Sequence, residues 1–306
     1  MLDETRRGRI ESAYATFVEF CKTDSQLATA LAGEPFFQGS FSYQTIIRPT
    51  QQIEFDVDII YPFSLEAFGY PKPGPREILN WFVGRLRERK DYADKLIQKP
   101  RCARLNYAGD FHLDIIPSTR QLRDHQPYAV PTRDLGAWIT NDPVGVAHWV
   151  KQLDDRSGQA DTDNENRFRR SVRMLKRWRD VSFKSHEAPS SILLLTMLGK
   201  HEASAKNYNP PMQDPLFPKY SFDAAYIYDM VRLTRSCIVL RGDQSFLHPT
   251  ITNENLAAGW QEGNLNTFIK GLDELIASLQ RAIWSETEAE SIRFYRGAFG
   301  DSFPAK

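Results

Sequence analysis

Residues 53–61 read IEFDVDIIY, and residues 111–117 read FHLDIIP. Successive side chains of a β-strand point to opposite faces, so Asp56 and Asp58 share one face of the first segment while the alternating apolar residues form the other. The same alternation places Asp114 on the polar face of the second segment. Pairing of the two strands would therefore bring three carboxylates to one face of a sheet.

A carboxylate cluster of this kind repels itself unless a cation neutralises it. Hard carboxylate oxygens suit Mg²⁺ or Mn²⁺. Two other interpretations stay open, because an isolated Asp-x-Asp pair is common on the solvent face of an edge strand and also occurs in some sugar-nucleotide transferases. His112 shares the polar face with Asp114, and we interpret it as a packing or hydrogen-bonding residue and not as a metal ligand.

A Gly-Ser turn precedes the first acidic segment, within residues 36–45, FFQGSFSYQT. Glycine lets the backbone approach a ligand closely, and free N–H groups at a helix start favour phosphate oxygens. By themselves Gly39 and Ser40 indicate only a turn. Their position before an Asp-x-Asp strand, with a third aspartate on a later strand, makes the combination specific.

The combination of Gly39, Ser40, Asp56, Asp58 and Asp114 resembles the signature of the polymerase-β-like nucleotidyltransferase superfamily. Within that superfamily the resemblance is to the CD-NTases, the cyclic GMP–AMP synthase/DncV-like group of bacterial second-messenger oligonucleotide synthases. Fifteen residues separate Ser40 from Asp56, a long spacing for the superfamily that fits this group.

The resemblance implies a two-metal site for phosphoryl transfer, with Mg²⁺ or Mn²⁺ as the cofactor. Asp56 and Asp58 would bridge the two ions, and Asp114 would bind the ion that activates the attacking hydroxyl. These three aspartates are accordingly the expected catalytic residues and metal ligands.

The resemblance also assigns residues to the nucleotide. Gln38, Gly39 and Ser40 would hold the donor triphosphate. Tyr43 matches an aromatic residue that stacks on a base in family members. A core tyrosine on a short helix is an open alternative for this position.

A basic amphipathic helix is predicted over residues 165–183, ENRFRRSVRMLKRWRDVSF. Seven basic residues and no acidic one lie between Arg167 and Arg179. A solvated charged face is the usual explanation for such a helix. The resembling family carries a Lys-x-Trp element here whose lysine contacts the triphosphate, and Lys176 and Trp178 match it.

Two further segments match the same family. Residues 188–198, APSSILLLTML, are similar to its Pro-Ser start of a buried helix, whose serine hydroxyl also reaches the triphosphate. Ser190 matches best and Ser191 is the second choice. Residues 246–260, FLHPTITNENLAAGW, are similar to a segment for which we expect a structural role, holding a loop against the nucleotide site.

Composition indicates an ordinary soluble protein of 306 residues, 41% hydrophobic and 25% charged. The net charge of zero argues against binding to bulk nucleic acid, which needs a positive field. Residues 1–14 lack an apolar signal core, and the longest apolar stretch is too short to cross a bilayer. We therefore expect a cytoplasmic protein without membrane contact. Three widely spaced cysteines predict reduced thiols.

Periodicity predicts helices over residues 5–31 and 76–98, and the proline- and glycine-containing residues 127–153 look like an extended crossing. The expected fold class is α+β, in which a polymerase-β-like lobe with a mixed sheet and flanking helices packs against a helical lobe. The expected domains are residues 1–155 and 156–306, with the nucleotides in the cleft between them.

The activity implied by the resemblance joins NTPs, ATP among them, into a cyclic di- or trinucleotide with release of pyrophosphate. A downstream effector would recognise this product in bacterial anti-phage signalling. The alternatives are a template-independent RNA- or nucleotide-tailing transferase, a protein-modifying nucleotidyltransferase, and a nucleotide-binding pseudoenzyme. Loss of a metal ligand is expected of a pseudoenzyme, and all three aspartates are present.

The final residues, 297–306, read GAFGDSFPAK, and Gly297 and Gly300 predict a helix end near Arg296. One interpretation is that Phe299 and Phe303 dock on the helical lobe. The other comes from the resemblance, in which a flexible C-terminus is presented to a ubiquitin-transfer-like partner.

Overall fold

The two acidic segments lie side by side at the centre of a mixed β-sheet. The computed structural model describes residues 4–47, 54–107, 110–120, 127–158, 166–184, 187–204, 223–241, 246–301 and 303. The chain divides into two compact units, Met1–Ala147 and His148–Lys306. The first unit holds the sheet and the second is helical, which confirms the predicted α+β class.

The sheet is built from β1 (Phe36–Gln38), β2 (Phe55–Phe63), β3 (Leu96–Gln98), β4 (Ala103–Tyr107), β5 (Phe111–Arg120), β6 (Tyr128–Thr132) and β7 (Ala137–Asn141). Its order is β1-β2-β5-β4-β3, and β6 pairs with both β5 and β7. β2 and β5 run parallel, whereas the other pairs are antiparallel.

One face of β2 and β5 is buried in the main core of the first unit. Val57 and Ile59 of β2 and Leu113 and Ile115 of β5 are fully buried there. Helices α1 (Glu4–Thr23) and α4 (Pro75–Glu88) contribute apolar residues to the same core. A slip of one residue would exchange this apolar face for the acidic one, so burial fixes the register of the carboxylates.

The single helix predicted over residues 5–31 is wrong. α1 ends at Thr23, and a short helix α2 (Ser25–Ala30) follows. Asp24 is the N-cap of α2, since its Oδ1 accepts hydrogen bonds from the backbone N–H groups of Gln26 and Leu27 at 3.1 and 2.9 Å. A short acidic side chain competes for backbone donors in this way, and the apolar periodicity did not reveal it.

The helix predicted over residues 76–98 is also too long. α4 ends at Glu88, Arg89 has an extended backbone, and a short helix α5 (Lys90–Ala93) precedes β3. β3 forms because it pairs with β4, a long-range contact that local periodicity does not contain.

The extended crossing predicted for residues 127–153 is wrong as well. The segment forms the β6–β7 hairpin, in which Gly136 has a φ of +60°, and then α6 (Pro143–Ser157). Asp142 starts this helix by accepting a hydrogen bond from the backbone N–H of Gly145 at 2.9 Å. Arg156 and Ser157, which follow the predicted domain boundary, belong to α6, and residues 159–165 lie outside the described ranges.

The remaining elements are short helices of the first unit and long helices of the second. The short ones are α3 (Gly39–Ser42) and a 3-10 helix (Leu65–Phe68). The long ones are α7 (Arg167–Ser182), α8 (Ser191–Ser204), α9 (Asp223–Arg241), α10 (Glu262–Ile283) and α11 (Glu288–Phe299). None of the helices in the described ranges combines the length and apolar character that a bilayer-spanning helix requires.

The tail interpretation in which the phenylalanines dock agrees with the structure. α11 continues past Gly297 to Phe299 and ends at Gly300, whose φ is +88°. The Phe299 ring is 1% exposed, and the Phe303 ring centroid lies 5.6 Å from it. The helix end predicted near Arg296 is therefore too early, because Gly297 continues the helix and the glycine with a positive φ is Gly300. Residues 302 and 304–306 lie outside the described ranges.

Candidate active site

Four residues from four strands form one row across the sheet. Gln38 of β1 is in register with Asp58 of β2. Asp58 is in register with Asp114 of β5, and Asp114 with Arg104 of β4. Asp56 lies two residues from Asp58 and so shares its face. The face predicted to collect the three carboxylates is the one that the strand pairing produces.

Arg104 contacts two of these carboxylates, those of Asp56 and Asp114, and was not identified from the sequence. Its Nε and Nη2 donate hydrogen bonds of 2.7 Å to Oδ1 and Oδ2 of Asp114, and Nη2 lies 2.9 Å from Oδ1 of Asp56. The signal that could have revealed it is a lone arginine between Ala103 and Leu105, both apolar, ten residues before Asp114. An antiparallel hairpin of that length would place the two side chains opposite each other.

His112 extends this network along the strand. Its Nδ1 lies 3.0 Å from Oδ1 of Asp56 and 3.1 Å from Nη1 of Arg104. Its Nε2 lies 2.5 Å from Oε2 of Glu54. These contacts agree with the hydrogen-bonding interpretation of His112.

Asp58 differs from the other two aspartates in its surroundings. Burial, the largest cause, and the carboxylates of Asp114 and Asp56 together raise the pKa of its carboxyl to about 7, while Arg104 acts in the opposite direction. No ion pair to Asp58 occurs in the part of the chain that the structure describes. A cation placed next to Asp58 would favour its charged form.

Gly39 brings the backbone into contact with Asp58. Its φ is +66°, and a Cβ atom added to it would lie 2.6 Å from Oδ2 of Asp58. A side chain is therefore excluded both by conformation and by space. Ser40 follows in α3, and its carbonyl accepts a hydrogen bond from the backbone N–H of Thr45 at 2.9 Å. The Gln38 side chain is held by Asn141, whose Nδ2 donates to Gln38 Oε1 at 3.0 Å.

Tyr43 ends α3 and is buried. Burial raises the pKa of its hydroxyl, and the charges of Asp58 and Asp142 act in the same direction. The burial of Tyr43 agrees with its interpretation as a core tyrosine, and its stacking on a base stays a prediction.

The basic residues of α7 do not form a solvated face. Their side chains are largely buried and bonded to nearby oxygens. The contacts are Arg170 to Asp223 (2.8 Å), Arg169 to Asp154 (3.3 Å), Arg179 to Asp180 (2.7 Å) and Arg177 to the carbonyl of Phe299 (3.1 Å). The solvated-face explanation is therefore wrong for this helix.

Lys176 has a different environment on the same helix. It is 3% exposed, and burial lowers the pKa of its ammonium group to about 7, with Arg179 adding to the effect. Trp178, two residues later, belongs to the apolar core of the second unit, where its ring centroid lies 5.1 Å from that of Phe183. A buried lysine with a lowered pKa is a common feature of functional sites.

Ser190 and Ser191 both have local partners at the start of α8. Ser190 Oγ accepts a hydrogen bond from the backbone N–H of Leu193 at 3.3 Å, as an N-cap does. Ser191 Oγ accepts one from Nη1 of Arg179 at 2.8 Å. Lys176 and Ser190 belong to the second unit, whereas the carboxylates, Gln38, Gly39, Ser40 and Tyr43 belong to the first.

The segment 246–260 is a tightly bonded loop. His248 Nδ1 accepts hydrogen bonds from the backbone N–H groups of Thr250 and Ile251 at 3.2 and 3.0 Å. Leu247 and Asn255 form an antiparallel bridge. These bonds agree with the structural role predicted for the segment.

The donor set on the acidic face fits Mg²⁺ or Mn²⁺ in chemical type, since it consists of carboxylate oxygens on adjacent strands. In the described ranges, however, no three His, Cys, Asp or Glu side chains are arranged as a metal site. In this structure the carboxylates of Asp56 and Asp114 are bonded to Arg104.

Comparisons with known proteins identify the fold. A curated c-di-GMP synthase from Roseivirga ehrenbergii is 28% identical over 213 residues, which cover 64% of this chain and 56% of that protein. The chain thus spans little more than half the length of that relative. The CD-NTase CdnG from Bradyrhizobium diazoefficiens, solved with GTP, superposes with a TM-score of 0.72 at 19% identity, covering 99% of this chain and 92% of CdnG.

A second solved structure, the CdnC:HORMA-deltaN complex from E. coli MS115-1, gives a TM-score of 0.72 at 15% identity, covering 99% of this chain and 94% of the other. The family model of the Second Messenger Oligonucleotide or Dinucleotide Synthetase domain, SMODS, matches residues 1–154, which contain the whole sheet and all three aspartates. The chain belongs to the SMODS family.

Proposed function

We propose that this protein is a metal-dependent nucleotidyltransferase that joins two nucleoside triphosphates into a cyclic dinucleotide and releases pyrophosphate. The observation that carries the proposal is the in-register pair Asp58 and Asp114 on parallel strands, with Asp56 on the same face. Membership of the SMODS family supports the reaction class. The name of the Roseivirga relative supports a dinucleotide over a trinucleotide product.

The reaction requires a ribose hydroxyl to attack an α-phosphate in line with the departing pyrophosphate. Two Mg²⁺ or Mn²⁺ ions, when bound, would stabilise negative charge on the attacking and leaving oxygens. Asp56, Asp58 and Asp114 would hold these ions. The raised pKa of Asp58 supports this assignment, since its charged form needs a cation nearby.

The triphosphate would lie along the Gly39 turn, where the absence of a side chain leaves the backbone open to close approach. Gln38 and Ser40 flank this turn. Lys176 and Ser190 stay our proposed triphosphate contacts among the residues of the second unit. Lys176 loses its proton readily while buried, and a neighbouring triphosphate would stabilise the ammonium form by opposite charge.

GTP is the first substrate to test. The structural relative CdnG was solved with GTP, and the Roseivirga relative is named a c-di-GMP synthase. ATP remains the second substrate that the sequence led us to expect. The competing tailing transferase would act on a long nucleic acid strand, for which a chain of zero net charge is poorly suited.

The test is to incubate the protein with each of the four NTPs and with their mixture, in Mg²⁺ or Mn²⁺, and to analyse the products by mass spectrometry. We expect a cyclic dinucleotide and stoichiometric pyrophosphate. Asp56→Asn/Asp58→Asn should lower the rate by several orders of magnitude while the protein remains folded by circular dichroism, because it removes two charges that hold the ions. Long linear products, or an undiminished rate in this variant, would contradict the proposal.

Partner assignments rest on the relatives alone. CdnC from E. coli was solved with a HORMA protein, so a HORMA-type partner is one that we propose to test for this chain. A ubiquitin-transfer-like partner at the C-terminus stays a prediction. It would have to act on residues beyond Phe303, because Phe299 and Phe303 pack within the second unit.

A further inference from the structure

Arg104 bonds to two of the three carboxylates to which the proposed function gives the metal ions. Its guanidinium forms a two-pronged pair with Asp114 through Nε and Nη2, both at 2.7 Å. Nη2 also lies 2.9 Å from Oδ1 of Asp56. One positively charged side chain therefore links the two aspartates, which belong to neighbouring strands.

The burial and geometry of the Arg104–Asp114 ion pair favour a strong interaction. The Arg104 side chain is 16% exposed and that of Asp114 is 11% exposed, so water screens them little. Parallel N–H···O bonds from a guanidinium to both oxygens of a carboxylate are short, charge-assisted and geometrically specific. The contact to Asp56 adds less, because that side chain is about half exposed.

A divalent ion on the same oxygens would meet the guanidinium at close range. Two positive charges a few ångströms apart repel each other, most strongly where water is excluded. Arg104 and the ions therefore cannot both be bound to Asp114 at full strength. Binding of one cation therefore weakens binding of the other.

We propose that Arg104 is an internal counter-ion that competes with divalent metal for Asp56 and Asp114. This inference rests on the proposed function, which places the ions at these aspartates. Arg104 holds the two side chains together in the protein without metal and is a positioning residue, not a catalytic one. Substrate phosphates supply part of the ligands of Mg²⁺. A bound nucleotide would therefore help the metal ion to replace Arg104 at the carboxylates, so that metal binding depends on the nucleotide.

A purely structural ion pair is the alternative, in which Arg104 only fastens β4 to β5. The two roles predict opposite changes in metal affinity. Removal of a competitor tightens metal binding, whereas loss of a structural support leaves it unchanged or weakens it. Protein stability alone would not separate them, since both roles predict a loss when Arg104 is replaced.

The experiment is calorimetric titration of the nucleotide-free protein with MnCl₂. Arg104→Gln should bind Mn²⁺ about ten-fold tighter than the wild type, or more, given the strength of charge-assisted bonds. Arg104→Lys keeps the charge without the fork and should give an intermediate affinity. Arg85→Gln is the matched control, because it removes another partly buried arginine–aspartate pair of the first unit, with Asp24, and should not change Mn²⁺ affinity.

The nucleotide dependence is tested by repeating the titration with a saturating non-hydrolysable GTP analogue. The analogue should tighten Mn²⁺ binding by a larger factor in the wild type than in Arg104→Gln. If Arg104→Gln does not fold, the readout is the NMR resonance of the Arg104 Nε–H in the wild-type protein. Comparison with the spectrum of Arg104→Lys assigns this resonance. This resonance should shift when MgCl₂ is added.

Three results would each overturn the inference. The first is unchanged or weaker Mn²⁺ binding in Arg104→Gln, and the second is that the analogue tightens Mn²⁺ binding equally in the wild type and in Arg104→Gln. The third is an Arg104 resonance that does not shift at saturating Mg²⁺. Asp58→Asn distinguishes this failure from failure of the proposed function. Mn²⁺ binding that requires Asp58 but ignores Arg104 rejects the counter-ion role alone. If none of these proteins binds Mn²⁺, with or without the analogue, the metal assignment is rejected as well.

Discussion

At the scale of single residues, Gly39 combines two requirements that no other residue type meets. Its φ lies in the left-handed region, and Oδ2 of Asp58 occupies the space that a Cβ atom would take. The Asp58 carboxylate is thereby brought close to a bare segment of backbone. The same proximity connects the turn that we propose to face the triphosphate with a predicted metal ligand.

We expect Gly39→Ala to lower the free energy of unfolding by about 1–3 kcal/mol, since it introduces both backbone strain and a contact with Asp58. Chemical denaturation measures this change, and product formation should fall with it. Gly8→Ala is the control, because Gly8 lies within α1 with open space around it. Its replacement should stabilise the helix by roughly 0.5–1 kcal/mol. A neutral Gly39→Ala would show that the turn tolerates a side chain.

The charge of Lys176 depends strongly on its surroundings. The pKa of its ammonium group falls from the ordinary value of 10.5 to about 7 in the folded protein, mainly through burial. Below pH 7 both the folded and the unfolded chain carry the proton, and the folded state then bears the full cost of a buried charge. Between pH 7 and pH 10.5 the unfolded chain binds more protons, so this cost disappears as the pH rises.

Lys176→Met should therefore be more stable than the wild type at pH 6.5, by on the order of 1–4 kcal/mol, and this advantage should disappear toward pH 10. Urea denaturation at several pH values measures it. Lys151→Met removes an exposed lysine and is the control, for which we expect only a small difference in stability. The same Lys176→Met change should lower kcat/KM for NTP by roughly ten-fold or more, because it would remove the charged contact to the triphosphate that we propose for Lys176. If the stability of Lys176→Met relative to the wild type increased with pH, burial of the charged lysine would not be the cause of the difference.

At the scale of elements, the end of α11 is fastened to α7. Arg177 Nε donates a hydrogen bond of 3.1 Å to the carbonyl of Phe299, and a Cβ atom added to Gly300 would lie 3.2 Å from Val181. The rings of Tyr295, Phe299 and Phe303 stack on one another. The last helix is therefore part of the core that positions α7, the helix that carries Lys176.

Phe299→Ala should lower the free energy of unfolding by about 3–4 kcal/mol, as expected for a fully buried aromatic side chain. Phe303→Ala is the matched comparison and should cost less, because Phe303 is only half-buried. Thermal and urea denaturation measure both. Equal, small effects would indicate that the end of α11 is detached in solution and would favour a freely presented tail.

At the scale of the whole molecule, charge is balanced overall while α7 is strongly basic. The chain carries 39 basic and 39 acidic residues. The arginines of α7 are engaged with carboxylates and carbonyls, including those of Asp154 and Asp223, so the helix offers no exposed basic stripe to a long polyanion. A small triphosphate needs only a few donors, whereas a nucleic acid strand needs an extended positive field.

Binding to a 30-nucleotide single-stranded RNA or DNA should accordingly be weaker than about 10⁻⁴ M at 150 mM salt, the weak end of non-specific affinities. Fluorescence anisotropy with labelled oligonucleotides measures it, and binding of a GTP analogue under the same conditions is the control. Micromolar or tighter binding to the strands would favour the tailing-transferase alternative over the cyclic dinucleotide synthase.

Local patterns in the sequence were sufficient for the parts of the site that depend on periodicity and turn chemistry. Alternation along residues 53–61 put Asp56 and Asp58 on one face, since a strand repeats every two residues whatever its neighbours are. The basic helix was also predictable within two residues at each end, because apolar residues recur along it at helical spacing. The Gly39 turn followed from glycine's conformational freedom.

Only the tertiary structure decided which of these residues lie next to one another. The parallel pairing that aligns Asp58 with Asp114, and the antiparallel pairing that brings Arg104 onto Asp114, join strands through long-range hydrogen bonds and a shared core. The same holds for Asp24, whose side chain divides the predicted first helix and pairs with Arg85 of α4. Local periodicity determines how a segment presents its side chains, but burial of the apolar faces against one another determines which segments become neighbours.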